Sequence, residues 1–304
     1  MKIIIAEHAG FCYGVKKAIK DTEKVLTEHG QSKVLGALIH NPLEVNRLKQ
    51  LGLEVINSTD DAQSERVIVR SHGEGQKVIS ALEKNQNTVI NCTCPYVSKI
   101  HRIVNEYYAK KYGIIIIGDS NHPEVIGING WCNDSAIIIN TEEQANQLKI
   151  DREMCIVGQT TFNTELWGNI INILRSKSDQ IDVHNTICDA TVKRQQAARE
   201  LASSVDKMIV IGGKNSSNSK KLYEICKALC TSTYFVESSE ELIYDDFDGD
   251  ITIGITAGAS TPDWIIKEII INLEGEVIVN EHNNGANHEG NGRIVQGSEK
   301  RRYD

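Results

Sequence analysis

IIIIGDSNHPEV, residues 114–125, reads as a buried strand that stops at Gly118, turns through polar residues and enters a helix at Pro123. Four consecutive isoleucines suit a strand covered on both faces, the pattern of a parallel sheet. Proline pre-sets the backbone of a first helical turn, where its missing N–H costs nothing. In such sheets ligands bind beyond the carboxyl ends of the strands. The turn that carries His122 and Glu124 is therefore where chemistry is expected.

The same order recurs twice. Val34-Leu35-Gly36 leads through Leu38-Ile39-His40-Asn41-Pro42 into the helical EVNRLKQLG. Residues 208–211 lead through Gly212-Gly213-Lys214-Asn215-Ser216-Ser217-Asn218 into SKKLYEICKAL. A second strand follows in each unit and again ends in small or polar residues. Residues 67–69 precede Ser71-His72-Gly73, residues 155–157 precede Gly158-Gln159-Thr160-Thr161, and residues 251–255 precede Gly258-Ala259-Ser260. Apolar runs alternating with helical patterns predict βαβ units and mostly parallel sheets.

Each unit hands over to the next at a cysteine. Cys12 lies in GFCYGVKKAIKDTEKVL, Cys94 in NCTCPYVSKIHRIVNEYY and Cys188 in NTICDATVKRQQAARELA, each between a short strand-like run and an amphipathic helix. The third unit lacks such a closing strand, and the amino-terminal residues 2–6 are the natural replacement. The prediction is an α/β protein of three similar small domains in a pseudo-threefold trefoil around a central cavity. The domains are expected at 13–96, 97–194 and 195–279 with 1–12. Residues 280–304, rich in Asn, Gly and charge, read as a disordered tail or linker.

Composition narrows the function. The chain has 304 residues, 40% hydrophobic and 24% charged, and a net charge of −8 that argues against general nucleic-acid binding. The apolar stretches are too short to cross a bilayer, and MKIIIA lacks the shape of a signal peptide, so a cytoplasmic protein is expected. Its eight cysteines should then be mostly reduced. A helix amino end should lower a thiol's pKa and favour the thiolate that binds metal. Three distant thiolates without a nearby histidine favour an iron–sulfur cluster over zinc, although all three could be buried apolar thiols. Cys132, Cys155, Cys226 and Cys230 read as core residues.

His40, His72 and His122 all fall at strand ends, in places that read as equivalent, with Ser216, Asn218 and Ser260 in the corresponding places of the third unit. Imidazole, hydroxyl and amide donors near helix starts suit a phosphate-bearing ligand. Glu124 adds a carboxylate that reads either as a first-turn helix residue or as a proton donor. Walker, dinucleotide-binding and deaminase templates fail on missing residues.

Taken together, GFCYGV, HNPLEV, RSHGEG, CTCPYVSK, NHPEV, GQTTF, ICDATVKRQ, GGKNSSNS and TAGASTPD resemble, in order, the 4-hydroxy-3-methylbut-2-enyl diphosphate reductase family of isoprenoid biosynthesis. What the resemblance implies is a 4Fe–4S cluster on Cys12, Cys94 and Cys188, with one open iron for the substrate hydroxyl. It implies diphosphate binding by His40, His72, His122, Ser216, Ser217, Asn218 and Ser260, with Thr160 holding the hydroxyl and Glu124 delivering protons. The implied reaction is a two-electron reductive dehydroxylation of the allylic diphosphate to isopentenyl and dimethylallyl diphosphate. The implied electron donor is an external ferredoxin or flavodoxin. The family usually has alanine where this chain has Cys92, which leaves a rival thiol two residues from Cys94. A cluster-dependent hydro-lyase and an electron carrier remain the alternatives.

Overall fold

The computed structural model describes residues 1–247 and 249–284. The chain opens with β1 (Lys2–Ile5) and then builds a first unit: α1 (Tyr13–His29), β2 (Ser32–Leu35), α2 (Pro42–Gln50), β3 (Leu53–Ile56), β4 (Arg66–Val69), α3 (Gln76–Lys84) and β5 (Thr88–Asn91). The second unit runs α4 (Pro95–Ala109), β6 (Gly113–Ile117), α5 (Pro123–Asn129), β7 (Ile137–Ile139), α6 (Glu142–Gln147), β8 (Met154–Gly158), α7 (Thr164–Arg175) and β9 (Ile181–Val183). The third runs α8 (Asp189–Ala202), β10 (Lys207–Ile211), α9 (Ser217–Leu229), β11 (Thr233–Val236), β12 (Thr252–Ala257) and α10 (Asp263–Asn284).

Three four-stranded sheets result, ordered β3-β2-β4-β5, β7-β6-β8-β9 and β11-β10-β12-β1. Every pairing is parallel. The order is the same three times. In the third sheet β1 takes the place of a fourth strand, with Ile3 opposite Ile253 and Ile5 opposite Ile255, so the amino terminus pairs with the last strand of the chain. The four isoleucines of β6 show why the sheet needs cover on both sides. Ile114 and Ile116 pack with Ile100, Val104 and Val125 on one face, and Ile115 and Ile117 with Trp167 and Ile170 on the other. Alternate side chains of a strand point to opposite faces, and burying each such isoleucine contributes about 1.5–3 kcal/mol.

Two features differ from the expected boundaries. The borders at 96/97 and 194/195 fall inside α4 and α8, because each helix starts right after its cysteine. Residue 280 falls inside α10, whose backbone continues to Asn284, and the remainder of the expected tail, 285–304, lies outside the described residues. Among the described residues no helix is long and apolar enough to cross a membrane.

The units meet through small and polar groups. Gly75 and Gly130 touch backbone to backbone, and a Cβ on Gly130 would lie 2.6 Å from the Gly75 Cα. Beside them Trp131 Nε1 donates to the Glu74 carbonyl at 3.0 Å. Between the first and third units, Trp264 Nε1 donates to Glu44 Oε2 at 3.0 Å, and Arg47 holds Glu44 from the other side at 2.6 Å.

Candidate functional site

All three units contribute to one central cavity of about 100 Å³. The cysteines enter it in the same register. Cys12 N–H donates to the Ala259 carbonyl at 3.1 Å, Cys94 N–H to Ser71 at 3.0 Å and Cys188 N–H to Thr160 at 3.0 Å. Each acceptor lies two residues beyond the end of the third strand in its sheet, namely β12, β4 and β8. Each cysteine is also the residue before its helix: α1, α4 and α8. The repeated fold thus brings three thiols to one cavity, which all three line.

This donor set fits a thiolate-held metal cluster. The thiols come from three separate segments, are part-exposed and make no disulfide. The backbone is cut back to make room for one of them, since a Cβ on Gly14 would overlap the Cys94 sulfur. The expected lowering of thiol pKa does not hold for Cys94 or Cys188. Burial pushes Cys94 up to about 11, outweighing the helix-start N–H groups of Tyr96 and Val97, and burial also raises Cys188. Cys92 does not line the cavity but packs in the core with Ile19, Val34 and Ile68. Cys132, Cys155, Cys226 and Cys230 are buried in the cores of the second and third units, as their patterns suggested.

The same cavity is lined by three imidazoles. The His40 ring lies 4.4 Å from His72 and 5.2 Å from His122, and His72 lies 5.6 Å from His122, centre to centre. Their places in the units are not equivalent. His122 is the residue before α5, whereas His40 stands one residue before the equivalent Asn41 of α2, and His72 follows β4. Ser216 holds the matching position before α9. Register with Ser71 and Ala259 makes Ser260 the true counterpart of His72, and gives Thr161, which the sequence reading passed over, the same place in the second unit. Thr161 and Ser217 line the cavity side by side, with Oγ atoms 3.4 Å apart. The doubled threonine of GQTTF was the only available signal.

Burial first, then Arg70 and Lys220, pushes His40 down to about 4. Burial and then His40 do the same to His122, and burial with both neighbours holds His72 well below its ordinary value. All three rings are therefore neutral near pH 7. His122 Nδ1 accepts from Glu124 N–H at 3.1 Å, so its remaining proton sits on Nε2. His40 Nε2, His72 Nδ1 and both polar atoms of the Asn218 amide are buried without partners. A buried polar atom left unpaired is costly, and such atoms around a cavity mark where a ligand belongs. Ser260 Oγ donates to the His40 carbonyl at 3.0 Å and ties the third unit to the first.

Glu124 is 3% exposed. One carboxylate oxygen accepts from Thr160 N–H at 2.6 Å and the other from Thr160 Oγ1–H at 2.7 Å. Burial raises its pKa to about 6 against those two hydrogen bonds. The Thr160 carbonyl in turn accepts from Cys188 N–H and from Thr191 Oγ1–H, both at 3.0 Å. One threonine thus links the carboxylate to a thiol-bearing turn.

Fold and cavity together define a class: three-unit parallel α/β proteins whose one central cavity is lined by three thiols and a cluster of polar side chains. The chain belongs to the LytB protein family, whose model matches residues 3–274. It is 46% identical over 275 residues to the 4-hydroxy-3-methylbut-2-enyl diphosphate reductase of Caldanaerobacter subterraneus subsp. tengcongensis, covering 89% of this chain and 96% of the relative. It is also 46% identical over 278 residues to the enzyme of that name from Clostridioides difficile, covering 90% and 99%. A solved structure of (E)-4-hydroxy-3-methyl-but-2-enyl diphosphate reductase, 43% identical, covers 90% of this chain and 99% of its own with a TM-score of 0.68. The reductase structure from Plasmodium falciparum, 25% identical, covers 97% and 95% with a TM-score of 0.82.

Proposed function

We propose that this chain carries out the reductive dehydroxylation of 4-hydroxy-3-methylbut-2-enyl diphosphate to isopentenyl and dimethylallyl diphosphate. The observation that carries the reading is the unpartnered buried set, His40, His72 and Asn218, in the same cavity as Cys12, Cys94 and Cys188. An anion grip and a thiol centre within one pocket are what an allylic diphosphate with a distal hydroxyl requires.

Cys12, Cys94 and Cys188 would hold the metal group, an iron–sulfur cluster of the 4Fe–4S type, which would relay the two electrons from the external donor and supply Lewis acidity at the hydroxyl. The protein supplies the rest. His40, His72, His122, Ser216, Ser217, Asn218 and Ser260 grip the diphosphate, turning binding energy into orientation of the reacting carbons. Thr160 positions the hydroxyl, and Glu124 gives it the proton with which it leaves as water. A carboxyl group with a pKa of about 6 is half-charged close to neutrality, which suits a proton donor.

The electron donor is a small acidic redox protein such as a ferredoxin or flavodoxin. Lys16, Lys20, Lys99 and Lys193 are exposed within the first eight residues of the helices that follow the cysteines and offer it positive charge on an otherwise acidic protein. Cluster chemistry with eight free cysteines suits the reducing cytoplasm.

A second reading has its own observation. Ligand nitrogens of His40, His72 and His122 lie within 4.8 Å of one another, a spacing that also suits a metal ion. Anaerobically reconstituted protein given the allylic diphosphate should form product only with a reductant. Turnover without reductant would instead mark a hydro-lyase, and zinc binding that pyrophosphate cannot displace would favour the histidine metal site.

A further inference from the structure

Arg194, on α8, is 3% exposed and pairs with no carboxylate among the described residues. Nη2 donates to the Gly10 carbonyl at 2.8 Å and Nη1 to the Ala190 carbonyl at 3.1 Å, while Nε is buried without a partner. Gly10 lies two residues before Cys12 and Ala190 two residues after Cys188. The guanidinium therefore joins two of the three cysteine-bearing turns across 184 residues of chain, and it lines the cavity with both sulfurs.

Burying a permanent cation with neutral partners only is costly, and fixed anionic partners normally accompany it. Here the available negative charge is that of the thiolates. Burial pulls the pKa of Arg194 down, and the charges of Cys12 and Cys188 are what oppose it.

We propose that Arg194 is a positioning residue for the metal group: its charge is the buried counter-ion of the Cys12–Cys188 edge, favouring the reduced cluster and fixing the two turns that hold it. The proposal rests on the cluster assignment above. Cluster potentials follow net charge and nearby hydrogen bonds. A cation close by stabilises the state with the extra electron, so its removal moves the midpoint to more negative values.

The test uses the full chain, reconstituted anaerobically, as wild type, Arg194→Lys, Arg194→Gln and Arg194→Met. The readouts are iron content, the midpoint from a spectroscopically monitored redox titration, and melting of the cluster-free protein. In Arg194→Gln and Arg194→Met the one-electron equilibrium should shift at least tenfold towards the oxidised form, about 59 mV. Arg194→Lys should recover most of that shift. The cluster-free Arg194→Met protein should melt no lower than cluster-free wild type, since it has lost an unpaired buried charge. Wild-type midpoints in the glutamine and methionine variants at full iron content overturn the proposal and leave the cluster assignment standing. Should Arg194→Met not fold, the glutamine and lysine variants decide alone. A wild type that takes up no iron removes the assignment and the proposal with it.

Discussion

Glu124 and His122 stand two residues apart at the start of α5, and burial moves their proton affinities in opposite directions. The carboxylic acid is raised to about 6 and the imidazole lowered to about 4. Near neutral pH only the carboxyl still has a proton to give up readily. Glu124→Gln should fold, keep its cluster and bind substrate, with turnover down by about 10²–10⁴, the range for a lost general acid. Near wild-type turnover in Glu124→Gln, together with a dead His122→Phe that still binds, would move the proton path to the imidazole. Asn218 invites a binding test, since neither end of its amide has a partner. Asn218→Ala should weaken pyrophosphate binding by about 1–3 kcal/mol, as for a lost hydrogen bond to a charged group. Equal affinity by calorimetry would place the anion elsewhere. These polar residues were legible because strand-end turns have few other reasons to hold histidine. Arg194 was not, because one arginine in an amphipathic helix looks solvent-exposed until its neighbours are known.

The elements behind the site were readable wherever the pattern was both apolar and punctuated. Gly118, Gly212 and the prolines at 95 and 123 mark where strands stop and helices start, and the structure follows them. What periodicity does not carry is which backbone atoms two elements share. The common register of the Cys12, Cys94 and Cys188 N–H groups depends on the end of a strand from elsewhere in the sequence. It also separates Cys94, on the cavity wall, from Cys92, in the core. Cys92→Ser should therefore keep the brown colour and iron content, and Cys94→Ser should lose both. The reverse pattern would exchange their roles. The glycine contacts were equally hidden, since a glycine in a helix shows nothing of what faces it. Gly130→Ala sets a methyl group against the backbone of Gly75. Melting should report a loss of about 1–3 kcal/mol, the usual cost of overpacking. An unchanged melting temperature would show that the seam between the first two units is loose.

At the scale of the molecule, the pairing of β1 with β12 makes the cavity a property of the whole chain, and its proton balance should appear in global stability. His40 and His122 at about 4, with His72 also held well below its ordinary value, bind fewer protons folded than unfolded, where the ordinary value is about 6.5. Their contribution is therefore complete above about pH 6.5 and lost as pH falls towards 4. Glu124 has the opposite sign: its raised pKa contributes stability below about 4.5, which is lost as pH rises through about 6. Three rings against one carboxyl leave the histidines in charge, so cluster-free protein should melt progressively lower from pH 7 to pH 5. Pyrophosphate should change this. An anion set against the unpartnered nitrogens of His40 and His72 favours their charged forms, offsetting the burial that keeps them neutral. Binding should then take up protons, and affinity should rise as pH falls from 8 to 6. Calorimetry in buffers of different ionisation enthalpy measures that uptake directly. If heats are independent of buffer and melting is level from pH 7 to pH 5, the three imidazoles neither titrate with the fold nor meet the anion.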